Sequence, residues 1–513
     1  MVGAYRSIFR ISKFVHKYVG LVCLVYFLLM GVTGVLLNHP SLIRRFAVPM
    51  AWVPESYVYS NWNRMAWREA CFSEKKPDTL YVGGKTGVWE STDNGQSFRR
   101  LANDFPAAAC DMDTRCLVLA ELGESAYLYA GTGIGLYRYD FRQEAWQRIE
   151  VDTLRNVEIV DLVRTDDQIL VFTQFACYSF NAVEENPVLQ RMPLKSGVAP
   201  DTQVPMFRFL LKLHDGSILG LPGKLFVDII GLALIFLSVS AIYIWYIPWR
   251  KKWFRKQRSK PRFFRFFHKY HLKFGIYTAL FLGVIALTGI FVRPPLLIAI
   301  IRYSVPAGLL SDSRPVGEWQ NKITRAVYSH KNDILILATR DGFFRGPADF
   351  SKAFLPIFIG VPVHGMGVNV LETLAGQRLL VGSFSGLYIW DNRSNQATDV
   401  HGKPVISRGR GVQGAGMAAG AAVRSGELRY WADYRNGLKS AHQTEPPPAM
   451  PDSIIQDSRM SLWHFLFEVH NGRIFRDWLG KHTWLIVPVG GLVLLLNVLS
   501  GCYDWLYRRV LVH

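Results

Sequence analysis

The chain has 513 residues, half of them hydrophobic, and a formal net charge of +19 from 59 Lys and Arg against 40 Asp and Glu. That length admits several domains. A charge of this size would suit a nucleic-acid partner, but the basic residues hug apolar runs and so exclude one.

The first element is Ser12–Pro40, SKFVHKYVGLVCLVYFLLMGVTGVLLNHP. Its apolar run from Val19 to Leu37 is long enough to cross a bilayer as a helix, which takes about 17–25 residues. It lacks an Ala-x-Ala-like cleavage site, so it reads as an uncleaved anchor rather than a signal peptide. His16 precedes the run and His39 closes it. The pattern returns in HLKFGIYTALFLGVIALTGIFVRPP, where His271 falls on His16, Gly275 on Gly20, Thr288 on Thr33, Gly289 on Gly34 and Pro295 on Pro40. Two further spans, Leu225–Ile247 and Trp484–Tyr503, match each other, and each follows a short motif, His214-Asp-Gly216 or His470-Asn-Gly472. The chain therefore reads as a duplication of span, large insert, His-x-Gly and span. The expected segments are 1–18, a first span at 19–40, an insert at 41–210, the first His-x-Gly motif and span at 211–248, a basic loop at 249–270, a third span at 271–294, a second insert at 295–465, the second motif and span at 466–505, and a tail at 506–513.

Trp249–Lys273 carries eleven Lys and Arg and no acid. With Arg6, Arg10, Lys13, Lys17, Arg508 and Arg509 it follows the positive-inside pattern, which puts both termini and this loop in the cytoplasm against membrane lipid, and both inserts outside, in the periplasm of a bacterial inner membrane. Cys71, Cys110, Cys116 and Cys177 lie in the first insert, where disulfides are allowed, and Cys110–Cys116 is the favoured pair. Cys23 and Cys502 are small apolar fillers of the spans.

Both inserts are β-patterned. Leu80–Trp89, Leu128–Tyr137, Ile169–Tyr178, Ile334–Phe343 and Leu379–Tyr388 share one form, an apolar strand, a Gly-rich turn and a second strand, with a weaker copy near Leu428. Repeats of this kind indicate propeller blades. Neither insert alone has enough blades to close a ring, so the expectation is an all-β region built as one split six-bladed β-propeller over a four-helix membrane bundle, the alternative being two separate small β domains. Ser91–Phe98 looks like an Asp-box hairpin, in which Asp93 ties the turn and has no catalytic role. A single such box is a poor basis for an outer glycosidase.

The membrane histidines carry the chemistry. Ionisable residues inside a membrane are costly and functional, and here they recur at equivalent positions of a duplication. Two imidazoles facing each other across a bundle suit a six-coordinate b-type haem. Gly20, Gly31, Gly34, Gly275, Gly283 and Gly289 would leave room for a porphyrin or would serve close helix packing. No Cys-x-x-Cys-His occurs, so covalent haem is excluded, and no dinucleotide fingerprint or P-loop occurs either.

The motifs HKYVGL, HLKFG, LTG, LHDGSILGLPG and VHNGRIF resemble the PepSY-associated transmembrane family, which includes inner-membrane ferric-siderophore reductases. The likeness covers the spans and their flanks, while propeller-like repeats stand where that family's outer PepSY domains are usual. It implies a bundle with two haem b groups that carries electrons from quinol or a cytoplasmic reductase to an outer ferric complex, a ferric siderophore or similar. Carried over by depth, His16 and His271 would hold the inner haem and His214 and His470 the outer one, with His39 and His482 as outer competitors and His268 as the inner competitor. Arg44, Arg45, Arg293 and Arg302 are placed either to pair with haem propionates or to anchor the interface. The competing function is a haem-free anchored propeller that binds an outer partner as sensor or assembly factor.

Overall fold

A computed structural model of the chain describes residues 2–511 except 123–124, 150–156, 167, 183, 185–186, 200–201, 255–261, 311–318, 320–321, 406–415 and 443–444. The middle of the basic loop, 255–261, thus lies outside the described residues.

The long helices are α1 (Val2–Phe14), α2 (Leu24–Asn38), α3 (Met206–His214), α4 (Gly220–Phe254), α5 (Arg262–Phe291), α6 (Leu462–His470) and α7 (Ile486–Leu506). Among the described residues, three helical stretches are long and apolar enough to cross a membrane: Ser217–Arg250, Arg262–Phe291 and Arg473–Val510. The first expected span is a bent pair of helices. Arg6–Val22 and Leu24–Asn38 meet at 65°, and the pair passes as a span only when taken together. The cause is local: Val15–Val19 is wound as a π-helix, and Cys23 leaves helical geometry at φ −89° and ψ 7°. The third helix starts at Arg262, nine residues before His271.

In the bundle, α5 packs on α7 and α4, and α4 packs on α2. Phe27, Ile230, Leu234, Leu282, Ala286 and Leu494 bring one small apolar core together from all four. The outward faces stay apolar, with Val22, Tyr277, Leu280 and Leu492 exposed, as lipid contact requires.

Beyond the bundle lies a large all-β region. Six strand groups follow one another, led by β1 (Glu69–Phe72), β2 (Thr114–Leu122), β3 (Ile159–Arg164), β4 (Ile323–Ser329), β5 (Val370–Leu374) and β6 (Ala418–Arg424). Each lead strand touches the next, and β6 returns to β1 through a parallel pairing of Ala421 with Glu69. An apolar cluster fills each seam between neighbouring groups. Two of those seams join the first insert to the second. Trp319 and Phe354 pack on Phe172 and Leu170, while Ala419 and Tyr430 pack on Trp67 and Val82. Asp93 accepts from the amides of Gln96 and Ser97 and ties its hairpin, as its motif implies.

Short antiparallel strands form two collars under this region. Ala47–Pro49 pairs with Arg459–Ser461, and Gln203–Pro205 with Ser304–Pro306. Each collar joins the start of one insert to the end of the other.

The expected disulfide is corrected, because all six cysteines are free thiols. Cys116 is fully buried on β2 within an apolar seam, whereas the Cys110 thiol donates to the Arg44 carbonyl near the bundle. The two side chains serve different packings, and proximity in sequence does not bring them together.

One cation sits where the lead strands converge. Arg325, 8% exposed, donates to Glu69 at 2.8 Å, Asp161 at 3.0 Å, the Asn369 carbonyl at 2.8 Å and the Arg115 carbonyl at 3.2 Å. Burial pushes the Glu69 carboxyl up to about 7, and burial with the neighbouring carboxylates pushes Glu372 up to about 8. Removing the guanidinium would strand two buried carboxylates, and breaking a buried ion pair costs roughly 3–5 kcal/mol. Arg325→Gln is therefore expected to lower the thermal unfolding temperature of the solubilised protein markedly. An unchanged melt would show that this cation does not hold the strand groups together.

Candidate functional site

The His-x-Gly motifs are helix ends. His214 closes α3 and His470 closes α6, and the glycines that follow, Gly216 and Gly472, take left-handed φ values of 77° and 73°. That conformation stops a helix at low cost only at glycine. Each motif thus presents a histidine from the last turn of a helix docked on the bundle.

The structure brings the four sequence-predicted histidines together as two pairs. Ring centres of His214 and His470 lie 6.3 Å apart at the end near the sheets. Those of His16 and His271 lie 6.3 Å apart at the far end. The two levels are joined through α5, in which His271 precedes Thr288 by 17 residues, about 25 Å of helix.

Every one of these rings is held by Nδ1. His16 Nδ1 donates to the Asn497 carbonyl at 3.0 Å, and His214 Nδ1 to the Ile285 carbonyl at 3.1 Å. His470 Nδ1 lies 2.8 Å from the Thr33 hydroxyl, and His271 Nδ1 lies 2.7 Å from the Ser240 hydroxyl. Those hydroxyls give their own protons to carbonyls one turn back, Thr33 to Leu29 at 2.6 Å and Ser240 to Leu237 at 3.0 Å, so their oxygens accept from the imidazoles. Thr288 repeats the device, donating to Val284 and lying 3.1 Å from His214 Nδ1. A carbonyl accepts only an N–H, so the protons of His16 and His214 sit on Nδ1, and the same tautomer fits the hydroxyl partners of His470 and His271. None of the four Nε2 atoms has a protein hydrogen bond among the described residues.

Two glycines make room for the rings. A Cβ on Gly289 would meet His214 Cε1 at 3.0 Å and one on Gly501 would meet His16 Cε1 at 2.9 Å, whereas one on Gly34 would make only ordinary contact with His470 Cε1 at 3.8 Å. Gly31 serves helix packing instead, against Gly231 and Ile235, and Gly20 faces Asn497. Gly275 and Gly283 make only ordinary contacts with Leu237 and Leu495. Sequence reading paired Thr33-Gly34 with Thr288-Gly289 as a repeat but missed that each Thr-Gly grips the histidine of the opposite half. Ser240, Asn497 and Gly501 carried no such signal, because a lone small or polar residue in a span is common.

The other predicted residues are spread out. His39 Nε2 lies 2.6 Å from Asp228, which also accepts from Asn38 at 3.0 Å. His268 stacks on Phe264 one turn from His271, and His482 is exposed. Arg44 pairs with Asp111 at 2.7 Å, while Arg45 and Arg302 are exposed. Arg293 donates to the Asn471 carbonyl at 2.8 Å, beside His470, and its Nε is buried without a partner.

A strap fixes α6 to the β region. Glu468, 5% exposed, accepts from Tyr57 at 2.6 Å and from Arg473 at 2.6 and 2.9 Å, with His464 3.5 Å away. Burial alone would raise this carboxyl, but His464, Arg473 and Tyr57 hold it down at about 2. A depressed carboxyl stabilises the fold above its unfolded value near 4.5, and that stability is lost as pH falls through about 2, here roughly 3 kcal/mol. Glu468→Gln is thus expected to lower the melting temperature at pH 7 and to flatten the loss of stability on acidification. Identical acid profiles for the two proteins would rule the strap out.

Among the described residues, no group of three or more His, Cys, Asp or Glu is placed to hold a metal ion. The family described as the PepSY-associated TM region matches residues 14–508. No curated protein matches. Among solved structures, the chain is similar to an extracellular domain assigned to a one-component system of B. thetaiotaomicron (12% identity, TM-score 0.35, covering 75% of this chain and 40% of that one). It is also similar to PorZ of the type-IX secretion system of Porphyromonas gingivalis (10%, 0.32, 75% and 32%) and to an ancestral GH74 enzyme (9%, 0.35, 74% and 37%). The chain spans less than half the length of each of these.

Proposed function

Because this membrane protein belongs to the PepSY-associated transmembrane family, we propose that it is a di-haem b oxidoreductase that moves electrons across the bacterial inner membrane to a periplasmic ferric substrate of the ferric-siderophore class, releasing iron. In this reading both termini are cytoplasmic, both inserts are periplasmic, four spans form the bundle, and quinol or a cytoplasmic reductase supplies the electrons. The strand groups form one six-bladed propeller, three blades from each insert, a reading supported by the cyclic contacts of the lead strands and the β6–β1 closure.

One observation carries the proposal: two imidazole pairs, each ring bonded through Nδ1 and with no protein hydrogen bond at Nε2 among the described residues. Imidazole nitrogen bonds a metal at about 2.0–2.1 Å, so two rings sharing one metal have centres roughly 6 Å apart. Both pairs stand at 6.3 Å. Two protein ligands leave the other four positions of a six-coordinate iron for a tetradentate porphyrin. Haem, when bound, supplies one-electron exchange at each level. The chain's own part is to hold the imidazoles in the binding tautomer, to keep water out with the apolar core around Phe27 and Leu282, and to offer the spare Arg293 Nε to a propionate.

Purified protein is expected to show a Soret band and two haems per chain by pyridine haemochrome, with His16→Ala and His214→Ala each removing one. A colourless protein, or one whose haem content ignores both substitutions, would overturn the reading. Thr33→Val takes away the acceptor for His470 Nδ1. It is expected to weaken retention of one haem about 10–100-fold, the usual scale for a lost partner behind a metal-binding imidazole, while the other haem titrates as before.

A further inference from the structure

A second chemically distinct place lies at the base of the strand groups, outside the histidine pairs. Antiparallel hairpins put the start of each lead strand and the turn between its group's second and third strands at one end. In the first group that end carries Arg68 and Lys85, and in the second it carries Asp113 and Arg115. It faces the bundle. Arg64, just before Arg68, stacks over Tyr57 at 4.4 Å, and Tyr57 packs its ring on His464 of α6. The His464 imidazole is held below its ordinary value by burial first, with Lys85 and Arg64 among the other causes. Helix α6 ends six residues later at His470.

The charges there do not balance. Arg64, Arg68, Lys85 and Arg115 stand against Asp113 and Glu158. Arg68, 9% exposed, donates to Asp113 Oδ2 at 3.3 Å, yet its Nε and Asp113 Oδ1 are both buried without a hydrogen-bond partner. Arg115 pairs with Glu158 at 2.7 Å, and its Nε too is buried without a partner. The indole N–H of Trp67, a fully buried residue, is a third unpaired donor. Lys85 is half-buried, and its ammonium makes no hydrogen bond or ion pair among the described residues. Burial pulls Lys85 down to about 8, with Asp113 opposing the shift and Arg68, Arg64 and Arg115 adding to it. Buried donors left unpaired are costly, and a fold tolerates several in one place when something fills it.

We infer that this cluster of cations binds a small, multiply charged oxyanion of the polycarboxylate class at the base of the strand groups, on the side that faces α6. The two buried guanidinium Nε–H donors and a partnerless ammonium suit carboxylate oxygens, and Arg planes bind them bidentately. As the acceptor end of an electron path the cluster rests on the function proposed above. As an anion site it stands without it.

Citrate is the probe, titrated calorimetrically into the detergent-purified full chain at low ionic strength. The expected result is saturable one-site binding that weakens with salt and falls at least about tenfold in Lys85→Gln, the scale of one charged hydrogen bond. Arg64→Gln reads the same site should Lys85→Gln melt early. Absence of saturable binding, or wild-type affinity in both variants, would overturn the inference. Recording the absorbance spectrum of the same preparation separates the two readings. Citrate binding by a protein with no Soret band sinks the haem alone, and a Soret band without citrate binding sinks the anion site alone.

Discussion

The arrangement depends on a hydrogen bond made behind each imidazole, not in front of it. A neutral histidine in an apolar bundle has one N–H to satisfy, and leaving it unpaired there is expensive. Here Asn497, Ser240, Ile285, Thr288 and Thr33 satisfy it from a neighbouring helix. The same bond fixes how the ring is turned and leaves Nε2 without a protein hydrogen bond among the described residues. Because each acceptor sits on a different helix from its histidine, pairing of the rings and packing of the bundle are one event.

The two halves of the chain are interleaved. The start of each insert is stitched to the end of the other in a two-stranded collar, and Arg325 of the second insert holds Glu69 and Asp161 of the first. Neither half can therefore settle its β region without the other. Glu468 carries the link downward, since Tyr57 before β1 and Arg473 after α6 grip the same carboxylate. The histidine at the end of α6 is thereby fixed relative to the strand groups above it.

The bent first span belongs to the same logic. A straight helix through Val15–Val19 would carry His16 in an ordinary 3.6-residue register. The π-turn there, and the break at Cys23, set His16 against Asn497 and Gly501 of α7. π-bulges of this sort recur at functional positions because they re-aim one side chain without ending the helix.

Much was legible in one dimension. Apolar runs, the repeat of His16 in His271 and of His214 in His470, the Thr-Gly pairs and the strand-turn-strand repeats are all local patterns, and local patterns follow from backbone periodicity and the cost of burying polar groups. What tertiary structure decided is which groups meet. Thr33 and His470 are 437 residues apart, and no spacing rule foretells their bond. The cysteines pack separately and stay reduced, and His39 takes Asp228 as its partner. The basic cluster gathers cations from segments unremarkable one by one. Such contacts are set by how helices and strands pack across the whole chain, and packing is a property of three-dimensional neighbours that linear order does not carry.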